Sequence, residues 1–300
     1  MEIKQLEIFV CTVKNLSFSK AAEEMYISQP TVSNCISSLE KTLGVQLLIR
    51  NTKDVSLTKE GGDFLAYAQK ILALRDRALF SASGEDRTAR GTIDIIASTI
   101  PAQHLLPEII ASFQKLWPNT AFRVTQADSQ QVEQKMSELY YDFGMLGSIR
   151  NNGRFVNYPV YDDKLVLVIP ITAPESPETI RENFARYLME TPFIMRESGS
   201  GTRTEIETLF GKIGVDPRNL RVPASFSDAH SILLGVSNGI GVSLVSKIAA
   251  TLYADAGLLK IVEMDSPLFH RQIYLLQNKE RLLSPVQQAF AEHTGNFYQC

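Results

Sequence analysis

Two short runs of this sequence gather hydroxyls, glycines and a guanidinium in an order that suits capture of a small anion. The first, RESGSGTRTEIE, reads as a strand end, a glycine turn and a new helix: Ser198, Gly199, Ser200, Gly201 and Thr202 form the turn, and Arg203 falls in the first helical turn. The second, IIASTIPAQHLLP, places Ser98, Thr99 and Ile100 between a strand and a helix that opens near Pro101. Helix N-termini leave backbone donors unpaired and carry the positive end of the helix dipole, so hydroxyls, amides and Arg203 converging there favour an oxyanion or a carboxylate. Each member also has a plainer use: Ser98 and Thr99 as helix caps, the glycines as a tight turn, Arg203 as a solvated charge. Gly147 and Ser148 after YDFGML, and Ser225 to Asp228 with Phe226 after LRVPA, are further rim candidates.

The same runs lack the parts that catalysis needs. No GK[ST] closes the GSGT loop, Gly199, Ser200 and Gly201 do not make a GxSxG elbow, and GxGxxG is absent there. His104, His230, His270 and His293 have no metal-ligand spacing, and Glu23 with Glu24, or Asp162 with Asp163, read as solvated faces. Cys11, Cys35 and Cys300 are odd in number and far apart, which indicates neither a disulfide framework nor structural zinc. The expectation is a binding protein with no cofactor, no metal and no enzymatic activity.

A second polar set lies near the N-terminus. In SFSKAAEEMYISQPTVSNCISSLE, Phe18, Ala21, Ala22 and Met25 fall at helical spacing, Ser28 is a good cap, and Pro30 is tolerated in the first turn of a second helix. Val32, Ile36, Leu39 and Leu43 then repeat at steps of three and four, leaving Gln29, Thr31, Ser33, Asn34, Ser37 and Ser38 on the other face. Amides pair bidentately with adenine and hydroxyls contact bases or phosphates, so this face suits a helix lying in the DNA major groove. Leu6, Phe9, Val10 and Val13 predict a supporting helix over about 2–14. The run VQLLIRNTKDVSLTKEG reads as a β-wing whose Arg50 and Lys53 meet phosphate. Three amphipathic helices alone would equally suit an unrelated α-helical domain; the agreement of cap, spacing, wing and polar face argues for DNA.

The pattern SFSKAAEEMYISQPTVSNCISSLEKTLGVQLLIR followed by VSLTKEG resembles the winged helix-turn-helix of LysR-type transcriptional regulators, densely over residues 1–65 and by layout across the whole chain. The resemblance implies a sequence-specific regulator of double-stranded promoter DNA, switched by a small effector. One departure stands out: family members usually carry Arg or Lys near positions 34, 37 and 38, where this chain has Asn34, Ser37 and Ser38. Residues 1–60 hold seven Lys or Arg and seven Asp or Glu, so the module is net neutral. Weak counterion release then calls for two or more modules on spaced half-sites.

The elements that must position these sets follow. Leu65, Ala68, Leu72, Arg75 and Leu79 predict a helix of about 30 residues from Thr58, near 45 Å long. Its apolar strip packs on its own domain or on another copy, and the resemblance favours pairing into a homodimer or homotetramer. SASGEDRTARG, residues 81–91, reads as a hinge. From Thr92 strands alternate with helices: TIDIIAS, AFRVTQA, YDFGMLG, FVNYPV and KLVLVIP, then a helix near 178–189, FIMRE, LRVPASF, GVSLV, GLLKIV and RQIYLLQ.

The fold class is thus α/β overall: a mostly α winged helix-turn-helix over 1–58, a linker helix and hinge over 59–90, and an effector domain over 91–300. The resemblance makes that domain two-lobed, like a periplasmic solute-binding protein, with lobe I from 91–162 and 267–300, lobe II from 163–266, and crossings near 162 and 266. Ligands of such sheets sit beyond the strand C-termini, which brings the two hydroxyl turns to one cleft. The implied effector is an inorganic sulfur oxyanion or a small carboxylate. The competing reading is a solute-binding protein with no DNA role, which would carry an export signal and lack the DNA module. The chain has 300 residues and a net charge of −3, with no apolar run able to span a bilayer and no signal-peptide pattern, so a cytoplasmic protein without a membrane role is expected.

Overall fold

A computed structural model describes residues 1–50, 55–83, 91–147 and 153–298, with Arg50 described by its backbone alone. The N-terminal module opens with α1 (Ile3–Asn15), α2 (Phe18–Glu24) and α3 (Gln29–Leu43). Ser17 and Ser28 cap α2 and α3 by accepting from the backbone N–H of Lys20 and Thr31, and Gly44 ends α3 at φ 71°, a conformation glycine adopts without strain. Leu6, Phe9, Val13, Ala21, Val32, Ile36 and Leu39 bury one face of each helix in a common core. β1 (Leu48–Arg50) and β2 (Val55–Leu57) pair antiparallel as the wing. The Glu40 carboxylate fastens the wing to α3 by accepting from the N–H groups of Leu47 and Leu48 at 2.8 and 3.1 Å.

α4 (Lys59–Ala82) is capped by Thr58 as expected, but its 24 residues span about 36 Å. The expected strip is mostly used within the chain: Leu65 and Ala68 are buried in the N-terminal core, and Arg75 pairs with Glu7 at 2.5 Å. The large apolar residues that α4 leaves exposed are Tyr67, Leu74 and Leu79. Most of the expected hinge, residues 84–90, lies outside the described residues.

The C-terminal α/β domain begins with β3 (Gly91–Ala97), a π turn over Pro101–Leu105, α5 (Leu106–Leu116), β4 (Thr120–Gln126), α6 (Ser129–Ser137) and β5 (Phe143–Leu146). The next strand, β6 (Phe155–Pro170), is continuous, where two strands, FVNYPV and KLVLVIP, were expected. Proline lacks a ladder donor, and Pro159 falls near the end of the first run, with the Asp162–Asp163 pair between the two. The register shifts at Val160, where a bulge accommodates the missing proline donor, and the carboxylates are absorbed without leaving the sheet.

Then come α7 (Pro177–Glu182) and α8 (Phe184–Glu190), two helices where one was expected, divided at Asn183. β7 (Met195–Arg196), α9 (Gly201–Ile213), β8 (Ser225–Phe226), α10 (Ala229–Ser237), β9 (Ser243–Ser246), α11 (Lys247–Asp255) and β10 (Leu259–Val262) follow, and β11 (His270–Asn278) and α12 (Pro285–Asn296) close the chain.

β3 pairs parallel with β4 and β5, and β5 pairs antiparallel with β11. β11 runs beside Phe155 to Lys164 of β6; from Leu165 onward β6 changes partners to β9 and β10. The two halves of one strand therefore belong to two lobes. Behind the second, Phe193, Phe210, Leu209 and Leu244 fill a core of their own, while Phe113, Phe143, Ile95 and Phe290 anchor the core that includes the first.

The N-terminal module rests on the first lobe through charge. Lys14 of α1 pairs with Asp94 of β3, and Arg123 of β4 bridges Asp94 and Glu24 at 2.5 and 2.7 Å. Behind them Arg281 pairs with the fully buried Asp142. Burial of Asp94 opposes its ionisation, yet Lys14 and Arg123 outweigh that and hold its carboxyl below the ordinary value.

Candidate functional site

The first candidate surface is α3. With Val32, Ile36 and Leu39 buried, helical geometry turns Gln29, Thr31, Asn34 and Ser37 to solvent and leaves Ser33 half-buried. Thr31 shares its hydroxyl with the cap residue Ser28 at 2.7 Å, and Gln5 donates to Ser38 at 3.4 Å. The exposed face offers amides and hydroxyls without a formal charge. The phosphate role expected of Arg50 and Lys53 falls on a side chain and a residue outside those described.

The second candidate is a cleft where the two lobes meet. From the first lobe, β3 ends at Ala97, and Ser98, Thr99, Ile100 and Pro101 lead into the π turn. Ser98 donates its backbone N–H to Met145 at 2.9 Å, which holds the turn against β5. Ala127, Asp128 and Ser129 at the start of α6, and Gly147 after β5, complete that wall. From the second lobe come Arg196, Ser200, Gly201 and Thr202, and from β11 come Arg271 and Ile273. The enclosed volume is about 20 Å³. That is space for a water or two, so a larger ligand requires the lobes to part.

Two buried arginines, neither anticipated from sequence, set the electrostatics. Arg271, 8% exposed, grips Asp163 through Nε and Nη2 at 2.8 and 2.7 Å and donates from Nη1 to Thr202 Oγ1 at 3.0 Å. Ser246 donates to the other Asp163 oxygen at 2.6 Å. This group ties both crossing strands to the N-termini of α9 and α11. Asp163, read as solvated from sequence, is 1% exposed; burial of a carboxylate is tolerable there because two guanidinium nitrogens converge on Oδ2 and the Ser246 hydroxyl satisfies Oδ1. Glu24 is likewise engaged, by Arg123. An added Cβ at Gly147 would lie 3.7 Å from the Arg271 guanidinium carbon, so the glycine presents bare backbone to that group.

Arg196, 5% exposed, is held by Glu197 at 2.8 and 2.9 Å and by the Ser227 carbonyl at 3.2 Å. Its Nη1 has no hydrogen-bond partner among the described residues. Nearby, burial lowers the proton affinity of His104 on the π turn, against the pull of the Asp163 charge.

Of the expected cleft residues, Ser98, Thr99, Ile100, Gly147, Ser200, Gly201 and Thr202 line the cavity together. Ser198, Arg203 and Phe226 do not. Ser198 is exposed on the glycine turn, and Ser148 lies outside the described residues. Arg203 turns along α9 to Glu207 at 2.7 Å and back to the Arg196 carbonyl at 3.2 Å. Phe226 packs behind the site, where its ring approaches Gly235. A signal for Arg203 was present, since Glu207 stands four residues on and such pairs belong to solvated helix faces.

A winged helix-turn-helix joined by one long helix to a two-lobed α/β domain is the architecture of a DNA-binding regulator. Residues 3–62 match the family model of bacterial regulatory helix-turn-helix proteins of the lysR family, and residues 86–297 match the LysR substrate binding domain. The chain belongs to the LysR family of DNA-binding transcriptional regulators and carries the family's effector-binding domain.

Among its relatives is an uncharacterized HTH-type transcriptional regulator of Methanocaldococcus jannaschii, 34% identical over 281 residues that cover 93% of each chain. The RuBisCO operon transcriptional regulator of Allochromatium vinosum is 28% identical over 296 residues, covering 97% of this chain and 95% of that one. Full-length OxyR from Pseudomonas aeruginosa shares the fold with a TM-score of 0.74 at 18% identity, over 99% of this chain and 97% of that chain. The effector binding domain of QuiR in complex with shikimate aligns over 70% of this chain and 98% of that one, with a TM-score of 0.61 at 20% identity. No helix among the described residues is long and apolar enough to cross a membrane.

Proposed function

We propose that this regulator reads promoter DNA with the Gln29, Thr31, Ser33, Asn34 and Ser37 face of α3, and that a small anionic effector bound between its lobes switches it. The observation that carries the effector reading is the convergence of two buried guanidinium groups with Ser98, Thr99, Ser200 and Thr202 in one interlobe cleft. Buried arginine forks and hydroxyls recognise a carboxylate or an oxyanion, including inorganic sulfur species. The solved complex of the QuiR domain with shikimate, a carboxylate, supports such chemistry.

A net-neutral DNA module supports action in pairs, through the face of α4 that exposes Tyr67 and Leu74, in a homodimer or homotetramer of the cytoplasm. The effector then biases two arrangements of the assembly; a tenfold change in occupancy requires a differential affinity of about 1.4 kcal/mol. A solute-binding role without DNA is not favoured, since residues 3–62 match a DNA-binding family.

The test is a thermal-shift panel of small anions on the full-length protein, repeated on Thr99→Ala. Stabilisation by one anion class that disappears in the variant supports the cleft, because a ligand bound only to the native state raises its stability. An unchanged shift in Thr99→Ala removes the cleft assignment.

A further inference from the structure

The charges around the cleft do not add up to a plain anion receptor. Each guanidinium arrives with its own carboxylate: Arg271 with Asp163 at 2.7 Å, Arg196 with Glu197 at 2.8 Å. A third carboxylate, Asp128, lines the cavity and has no cation partner among the described residues. One oxygen, Oδ1, caps α6 by accepting from the Gln131 N–H at 2.8 Å, and no hydrogen bond to Oδ2 is made among the described residues. Across the cleft the carboxylate faces bare backbone, since a Cβ added to Gly199 would come within 3.6 to 3.8 Å of its Cγ and both oxygens. Gly199 adopts φ +93°, which keeps that approach open. The local sum is two cations against three anions.

Resting on the reading of this cleft as the effector site, we infer that the effector is an anion that also donates a hydrogen bond, and that Asp128 selects for the donor. An oxyanion without a proton would bring its oxygens toward the Asp128 carboxylate and be repelled. A protonated oxyanion or a hydroxy acid turns the same approach into a charge-assisted O–H···O bond, while its anionic oxygens take the Arg196 Nη1 donor and the hydroxyls of Thr99 and Ser200. Monohydrogen phosphate and glycolate have this chemistry; sulfate and acetate lack it.

Asp128→Asn tests the inference with little risk to folding, because asparagine caps a helix as well as aspartate while it removes the charge and puts an N–H donor where Oδ2 accepts. Thermal shifts of the full-length protein would be read at pH 7 against phosphate, sulfate, glycolate and acetate. The native protein is expected to respond to phosphate or glycolate at concentrations at least tenfold below those for sulfate or acetate. In Asp128→Asn the sulfate midpoint should fall at least tenfold, about 1.4 kcal/mol of binding free energy. Equal sulfate responses in the two proteins, absence of response in both included, overturn the donor rule, as does a native protein that takes sulfate and phosphate alike. A phosphate shift that survives unchanged in Thr99→Val shows that the anion binds elsewhere and removes the cleft reading together with the donor rule built on it, whereas equal sulfate responses alongside a phosphate shift lost in Thr99→Val overturn the donor rule alone.

Discussion

The two candidate surfaces are built on opposite plans. The face of α3 is largely exposed and formally uncharged, with the Thr31 hydroxyl shared with Ser28 and the Ser38 hydroxyl accepting from Gln5. The interlobe cleft is closed, charged and cross-linked, with Arg271 and Asp163 almost fully buried and satisfied on several sides. A surface that reads bases has to present its donors and acceptors to water until DNA replaces it. A cleft that reports a ligand through lobe position has to store its charges in defined geometry, so that binding perturbs something rigid.

The largest expected effect separates the two plans. Arg271→Met strands the buried Asp163 charge and should lower the stability of the effector domain by about 3–5 kcal/mol in denaturant unfolding. Adding Asp163→Leu to that variant should restore much of the loss. Asn34→Ala should do the reverse of Arg271→Met: no change in melting temperature, and a loss of about 1–3 kcal/mol in operator affinity with nonspecific affinity unchanged in a gel-shift titration. If the operator and unrelated DNA weaken equally, Asn34 is not reading a base.

Ser28→Ala probes the point where the exposed face depends on local structure, and should cost about 1 kcal/mol by leaving the N–H of Thr31 uncapped. Acidification gives the mildest contrast. Asp94 is held below its ordinary value by Lys14 and Arg123, so the stability it lends to the junction is present above about pH 4 and lost as pH falls through its folded value. Melting curves taken from pH 5 down to pH 3 should show a loss that is smaller in Asp94→Asn.

These contrasts also explain what the sequence disclosed. The helix-turn-helix was legible because its information is local: Ser28, Pro30 and the Val32, Ile36, Leu39 period all lie within one helix. The hydroxyl turns were legible for the same reason. Arg271 and Asp163 are 108 residues apart and meet only because β6 and β11 run side by side, so no spacing along the chain announces them. Arg196 and Arg203 flank one glycine turn and look equivalent as letters; helix phase sends Arg203 to Glu207 and strand geometry sends Arg196 into the cleft. The apolar strip of α4 was identified correctly as a strip, but the surface that covers its first half proved to be the chain's own N-terminal module.

β6 has a further consequence, for folding. Its 16 residues complete the sheet of the first lobe with one half and that of the second lobe with the other. Neither sheet closes without the shared strand, and the lobes also share a core, in which Phe113 and Phe290 of the first lobe join Val166, Ile232 and Val245 of the second. Loss of either lobe exposes an unpaired edge on the other, so the effector domain should unfold in one cooperative transition. The same strand limits how such a domain is remodelled: insertions are tolerable in the loops at the far ends of the lobes, whereas one placed within either half of β6 slips the register of that lobe's sheet and, through the continuous strand, displaces the other lobe.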